Sequence, residues 1–411
     1  MKVLWIVNIL FPAARDFLGL AHNGIGGGWL LAGANALHMR APELHLAIAT
    51  VYPGSELLHF DKNGLSYFLL PRQNTDRFFA QIHKNFSPDI VHIHGTEYYY
   101  GKSYLKACGA KNTVVSIQGL TSIYSRYFYG GMSIRELLYS TTLRDLLRFD
   151  TLWHERRDMV KRGLDEQWVL RNVNHIIGRT DWDRAHSWAL NPRANYYECN
   201  ETLRETFYQH RWLLDRADTH SIFLSQLHYP IKGGHQLLKA FPLVLREFPD
   251  AHIVVAGHDF CHARFGRMRS YGKFLNTLIR RNRLDGKIRF TGALDEEAMC
   301  QCFLQSHIFV CPSCIENSPN SLGEAQLLGV PSVCAVSGGT PNMVTDGKDG
   351  LLYRFEETEM LAEKICTIFR NDALARQISM AAQVSARERH NAILNAERLL
   401  DIYRKILATP Y

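Results

Sequence analysis

The 411-residue chain has no apolar run approaching the ~18–20 residues that a membrane helix needs, so no span is expected. It also lacks low-complexity tracts, short repeats and charged tails, which excludes a disordered protein and a collagen-like rod. Cysteine is scarce. Nine are scattered from Cys108 to Cys366, an odd number that argues against a disulfide framework and for reduced thiols in a cytoplasm. Cys300-x-Cys302 and Cys311-x-x-Cys314 have ligand-like spacing, but both lie in helix-then-strand patterns among apolar residues, and Pro312 interrupts the second. They read as small buried hydrophobes, and no metal is expected. Neither sign of charge dominates. Lys plus Arg number 47 against 40 Asp plus Glu, a net +7. That balance suits an anionic partner such as a phosphate-bearing metabolite or a membrane surface, and is too mild over this length for nucleic acid.

What is present is a repeating pattern of short apolar run, loop and amphipathic helix. Strands are expected at Val3–Val7, Leu46–Val51, Leu65–Leu70, Ile90–His94, Thr113–Ile117 and Val173–Ile177, and again at Ser221–Leu224, His252–Ala256, Ile288–Phe290, Ile308–Cys311 and Ser332–Cys334. These runs are continuous in Val and Ile rather than alternating, as strands covered on both faces should be. The first run reads as a buried strand rather than a signal peptide, because Asn8 interrupts it and a Gly-rich loop and helix pattern follow. Helical patterns include Trp29–Met39, Gly234–Glu247, Glu296–Gln305 and Leu322–Leu328. The alternation predicts an α/β protein with two Rossmann-like parallel-sheet domains. The first would span 1–205 and the second 218–386, followed by a last helix in 387–411. Open α/β sheets bind ligands beyond the carboxyl ends of their strands, so two such domains suggest a cleft between facing loops.

The loops of the second half carry the chemistry. After the strand Ile308–Cys311, Ser318-Pro319 reads as a helix start with Ser as N-cap and Pro at the first position. The amides of Asn320, Ser321 and Leu322 would then be donors at a positive dipole end, a ready phosphate site. Glu316 precedes that helix and Glu324 lies within it, so two carboxylates flank one anion site. Lys232-Gly233-Gly234 follows the first strand of the same half and can bring a point charge to a phosphate. Ser337-Gly338-Gly339-Thr340-Pro341 repeats the theme.

The segment Ser221–Tyr353 resembles the donor domain of family 4 glycosyltransferases, retaining enzymes of the two-domain GT-B fold. The likeness rests on Lys232-Gly233-Gly234, His252–Gly257, Phe290-Thr291-Gly292, the two glutamates, Gly329-Val330-Pro331 and Gly338 through Gly350. Gly26-Gly27-Gly28-Trp29, Pro88–Gly95 and Arg179–Asp183 fit more loosely along the first half. The resemblance implies a nucleotide-diphospho-sugar donor, used without a cofactor or metal. It implies that Lys232 and the amides around Ser321 and Leu322 bind the diphosphate, that Glu324 takes the ribose hydroxyls, and that Glu316 holds the transferred sugar. Gly27 and Gly28 would approach the reacting centre from the first, acceptor-side domain, and the last helix would pack back onto that domain. The implied role is transfer to a glycan or lipid-linked acceptor in surface polysaccharide or glycolipid assembly, in the cytoplasm or at the inner membrane face.

Two positions depart from the family. Gln226 stands where an Arg is usual, and Gln118 where many members carry a His. Glutamine supplies no phosphate charge and cannot shuttle protons at neutral pH, so His228 is a candidate substitute for the Arg, and a front-face route is favoured in which the leaving phosphate takes the acceptor's proton. On the acceptor side the candidates are Gln118, His94 and Tyr98. Between Phe260 and Leu284 seven Arg or Lys occur without Asp or Glu, a solvated helix face or a contact for anionic lipid. Rival readings are an inverting GT-B transferase, a sugar-nucleotide epimerase and a non-catalytic sugar-nucleotide-binding protein. A dehydrogenase is disfavoured because Gly24–Trp29 lacks the final glycine of the dinucleotide fingerprint.

Overall fold

The computed structural model describes residues 1–21, 28–263 and 266–409. The chain divides into two compact units. Unit 1 comprises Met1–Ile123, Val160–Leu203 and Arg389–Tyr411; unit 2 comprises Tyr124–Met159 and Arg204–Glu388. Residues 124–159, which the sequence pattern assigns to the first domain, therefore group with the second. Their hydrogen bonds explain this: the buried Asp145 carboxylate accepts from both the amide and the hydroxyl of Ser270.

Unit 1 holds an eight-stranded sheet of β1 (Lys2–Val7), β2 (His45–Tyr52), β3 (Leu58–Lys62), β4 (Leu65–Pro71), β5 (Ile90–His94), β6 (Thr113–Ser116), β7 (His175–Gly178) and β8 (Asn195–Glu198). Its order is β3-β4-β2-β1-β5-β6-β7-β8. All pairs are parallel except β3 with β4, an edge hairpin turning at Asn63-Gly64 that the sequence pattern does not reveal. The sheet is covered on both faces, with Val3, Trp5 and Val7 in one apolar cluster and Leu4 and Ile6 in another. Tyr403 on the last helix enters the first cluster, and its hydroxyl meets the Trp5 indole N–H at 2.9 Å.

Unit 2 holds β9 (Asp218–Leu224), β10 (His252–Val255), β11 (Ile288–Phe290), β12 (Ser306–Cys311), β13 (Ser332–Ala335) and β14 (Leu351–Tyr353), all parallel, in the order β11-β10-β9-β12-β13-β14. Strand order reverses between β9 and β12, so the loops after those two strands open apart at a topological switch point. The C-terminal segment is not one helix over Arg387–Leu407. It is two, Asp372–Arg389 and Ala392–Ala408, because Asn391 leaves the helical conformation and its side chain caps the Leu394 amide. Among the described residues no helix is long and apolar enough to cross a membrane.

Candidate active site

The loop after β12 is gripped from two sides. The Cys314 amide donates to the Ile231 carbonyl at 2.9 Å, and the Gly339 amide donates to the Glu316 carbonyl at 2.9 Å. Two glycines make this approach feasible. A Cβ on Gly233 (φ 66°) would sit 1.7 Å from the Pro312 carbonyl oxygen, and one on Gly338 (φ 51°) 1.9 Å from that of Glu316. Any other residue would force these backbones apart.

At this junction Lys232 Nζ donates to Glu316 Oε1 at 2.6 Å, an ion pair with Glu316 buried and Lys232 partly buried. Burial pulls the ammonium down, but the adjacent Glu316 carboxylate more than offsets it, holding Lys232 above the ordinary lysine range. The following helix spans Asn320–Leu328 with Pro319, not Ser318, as its N-cap. Proline fixes an extended φ of −68° there but offers no side-chain acceptor, and the Ser318 hydroxyl turns to the Met343 sulfur instead. The Leu322 amide bonds the Pro319 carbonyl at 3.0 Å. Leu322 is therefore not an open donor; Asn320 and Ser321 carry the amides for which the helix has no partner.

Glu324, one turn on, is buried in a bidentate pair with Arg204, whose Nε and Nη2 each reach a carboxylate oxygen at 2.7 Å. The guanidinium also lies 4.6 Å from the Phe207 ring centroid. Burial pushes the Glu324 carboxyl up, and Arg204 pulls it back. Gln226 is exposed in the loop after β9. His228 lines a cavity with Tyr229, Gly257 and Arg269, and burial together with Lys232 and Arg269 lowers its imidazole. Arg269 itself is anchored by Asp150 and Glu155.

The strand ends of unit 1 are built differently. His92 is locked in the core between the Tyr403 hydroxyl (2.7 Å) and the Ser116 hydroxyl (2.6 Å), and its ring stacks on His94 at 3.7 Å. Burial lowers His92 to about 3 and holds His94 well below the histidine range, so both imidazoles are neutral. Among the described residues neither ring nitrogen of His94 has a hydrogen-bond partner, and the ring lines a cavity with Trp29, Gln118, Arg179 and Glu201. Arg179 fixes that corner: Nη2 donates to the Ile117 and Gln118 carbonyls at 3.1 Å, and Nη1 pairs with Glu201 at 2.6 Å. Glu97 is partly buried nearby, where desolvation and the neighbouring Glu166 push its carboxyl up to about 7 against backbone amides that pull it down. Glu166 stays bonded to Thr96, Thr121 and Ser122.

Residues 207–385 match the glycosyl transferases, group 1. Among curated relatives of the chain, spore coat protein SA of Bacillus subtilis is 26% identical over 179 residues, 43% of this chain and 46% of that protein. The GDP-mannose-dependent monoacylated alpha-(1-6)-phosphatidylinositol monomannoside mannosyltransferase of Corynebacterium glutamicum is 27% identical over 180 residues, 42% of this chain and 44% of that one. The chain thus spans under half the length of these relatives in the matched region. Among solved structures, sucrose-phosphate synthase from Thermosynechococcus elongatus superposes with a TM-score of 0.72 at 16% identity, covering 99% of both chains. The fold is GT-B.

Within the group 1 segment, the structure brings Lys232, Glu316 and the Asn320–Ser321 helix start to one switch point. Glu324 belongs to the same helix but faces Arg204. In unit 1, Gln118 and His94 share a cavity, while Tyr98 is exposed and stacks on Tyr100 at 5.6 Å. Gly28 opens the helix Gly28–Arg40, and Gly27 lies outside the described residues. Sequence reasoning gave Arg204 and Glu97 no role of their own and read Arg269 only as part of the basic stretch between Phe260 and Leu284. Arg204 sits in a polar stretch that reads as a linker, and no local pattern announces a partner 120 positions away.

Proposed function

We propose that the chain is a retaining glycosyltransferase of family 4 type, moving a sugar from a nucleotide-diphospho-sugar to a glycan or lipid-linked acceptor. The observation that carries this reading is the Lys232–Glu316 pair at the β9/β12 switch point, beside a helix N-terminus with open amides. Lys232, held protonated, and the Asn320 and Ser321 amides supply positive charge where the diphosphate gains negative charge as the sugar–phosphate bond breaks. Glu316 releases Lys232 to the phosphate and turns to the sugar hydroxyls, steadying oxocarbenium charge. The acceptor oxygen bonds to the anomeric carbon on the face the phosphate leaves, and its proton passes to the departing phosphate oxygen, so the nucleoside diphosphate leaves with that proton.

Two features adjust the residue roles. Arg204 occupies both Glu324 oxygens, so ribose binding to Glu324 requires Arg204 to share or yield one of them. Arg269 lines the cavity of His228, where it is paired with Asp150 and Glu155, so it offsets the missing charge at Gln226 only if a phosphate displaces one of those carboxylates. We place the reaction on the cytoplasmic side, in surface polysaccharide or glycolipid assembly, with no metal taking part. The test is donor turnover across uridine, guanosine and adenosine diphospho-sugars, with product stereochemistry read by NMR. Retention with Glu316-dependent turnover supports the reading, whereas inversion, or donor binding with no turnover across an acceptor panel, refutes it.

A further inference from the structure

The segment that joined unit 2 carries an exposed apolar face. Two short helices, Ile134–Ser140 and Leu143–Leu147, bury Leu137, Ser140 and Asp145 but turn their larger side chains outward. Ile134 is 74% exposed, Leu138 61%, Leu143 70%, Leu146 53%, Leu147 72% and Phe149 76%. The spacings 134/138 and 143/146/147 place each set on one helical face. Six large apolar side chains within sixteen residues is a patch, not scatter.

The charge around the patch is one-sided. Its carboxylates are already engaged: Glu136 by the Ser133 capping box and Lys239, Asp145 by Arg144 and Ser270, Asp150 by Arg144 and Arg269, and Glu155 by Arg269. Arg135 and Arg148 are exposed between the apolar residues, and among the described residues no carboxylate pairs with either. The basic helix Ser270–Arg281 adjoins them. Its Lys273 donates to the Tyr139 carbonyl at 2.5 Å and lies 4.9 Å from that ring, and Arg280 and Arg281 are exposed at its end. An apolar face studded with unpaired arginines fits the boundary of an anionic bilayer, where apolar side chains enter the acyl region and guanidinium groups meet phosphates.

We propose that residues 134–149, with the adjoining basic helix, form a docking surface for anionic lipid membranes. The proposal deepens the lipid-linked acceptor reading, on which only its biological use rests. The test is co-sedimentation of the full chain with phosphatidylglycerol/phosphatidylcholine vesicles and with phosphatidylcholine alone. The wild type should bind the anionic vesicles preferentially and lose binding as salt rises. Leu143→Ser/Leu147→Ser/Phe149→Ser should cut partitioning on the order of tenfold or more. Arg135→Glu/Arg148→Glu should remove the anionic preference, about fivefold per arginine. Thermal shift with nucleoside diphosphates, unchanged in both variants, keeps folding and the donor site separate from this result. Absence of wild-type binding, or binding unaltered in both variants, overturns the proposal. So does a wild-type dimer in ultracentrifugation that the serine variant converts to monomer, since a second copy would then cover the patch.

Discussion

The strand ends of the two units share an architecture and differ in charge. In unit 2 the crest between β9 and β12 holds a lysine kept protonated, a paired glutamate and a helix start. In unit 1 the strand ends hold two neutral histidines, an amide, a closed Arg179–Glu201 ion pair and a carboxyl raised to about 7. One presents positive charge and the other balanced, largely neutral hydrogen-bonding groups, which on the proposed function would suit a diphosphate and sugar hydroxyls respectively. The same fold serves either purpose because the strands set only where loops emerge; buried partners decide which side chains stay ionised.

The sharpest way to break this contrast is at Arg204. Arg204→Ala strands the buried Glu324 carboxylate and should cost about 3–5 kcal/mol of unfolding free energy, while Arg204→Ala/Glu324→Ala should recover much of it. Denaturant unfolding measures both, and equal losses in single and double variants would mean that the unpaired Glu324 carboxylate carries no penalty. Glu97 tests the other crest. A carboxyl at about 7 in the fold and 4.5 when unfolded binds the proton more tightly folded, so stability should fall as pH rises through that window. The fall amounts to about 3 kcal/mol, and Glu97→Gln should flatten it in melts taken from pH 4.5 to 7.5. Lys232→Ala should weaken nucleoside diphosphate binding by about 2–3 kcal/mol and nucleoside binding far less; equal losses by calorimetry would remove Lys232 from the phosphate site. The smallest effect belongs to Gln118→Ala, which should lower the rate but leave the shape of the pH–rate profile intact, and a lost limb would show that Gln118 governs a proton transfer.

Much of the second unit was legible because its signals are local. Gly233 and Gly338 mark close backbone approaches, the Val- and Ile-rich runs mark doubly covered strands, and Glu316 and Glu324 stand at fixed offsets from one helix start. The helix cap was misread for an equally local reason, since Ser318 suits an N-cap and Pro319 the first helical position, and only the path of the chain puts the boundary one residue later, at Pro319. The allegiance of residues 124–159 had no local signal at all, because it depends on a buried Asp145 finding Ser270, 125 positions away.

By itself the sequence determined the parallel α/β architecture, the loop that carries the paired glutamates and the lysine beside it, since periodicity and turn chemistry act over a few residues. Only the tertiary structure decided that Lys232 meets Glu316, that Arg204 claims Glu324 and that a basic, apolar face is left uncovered. Pairing and burial are set by chain-distant neighbours, and burial determines which charges persist.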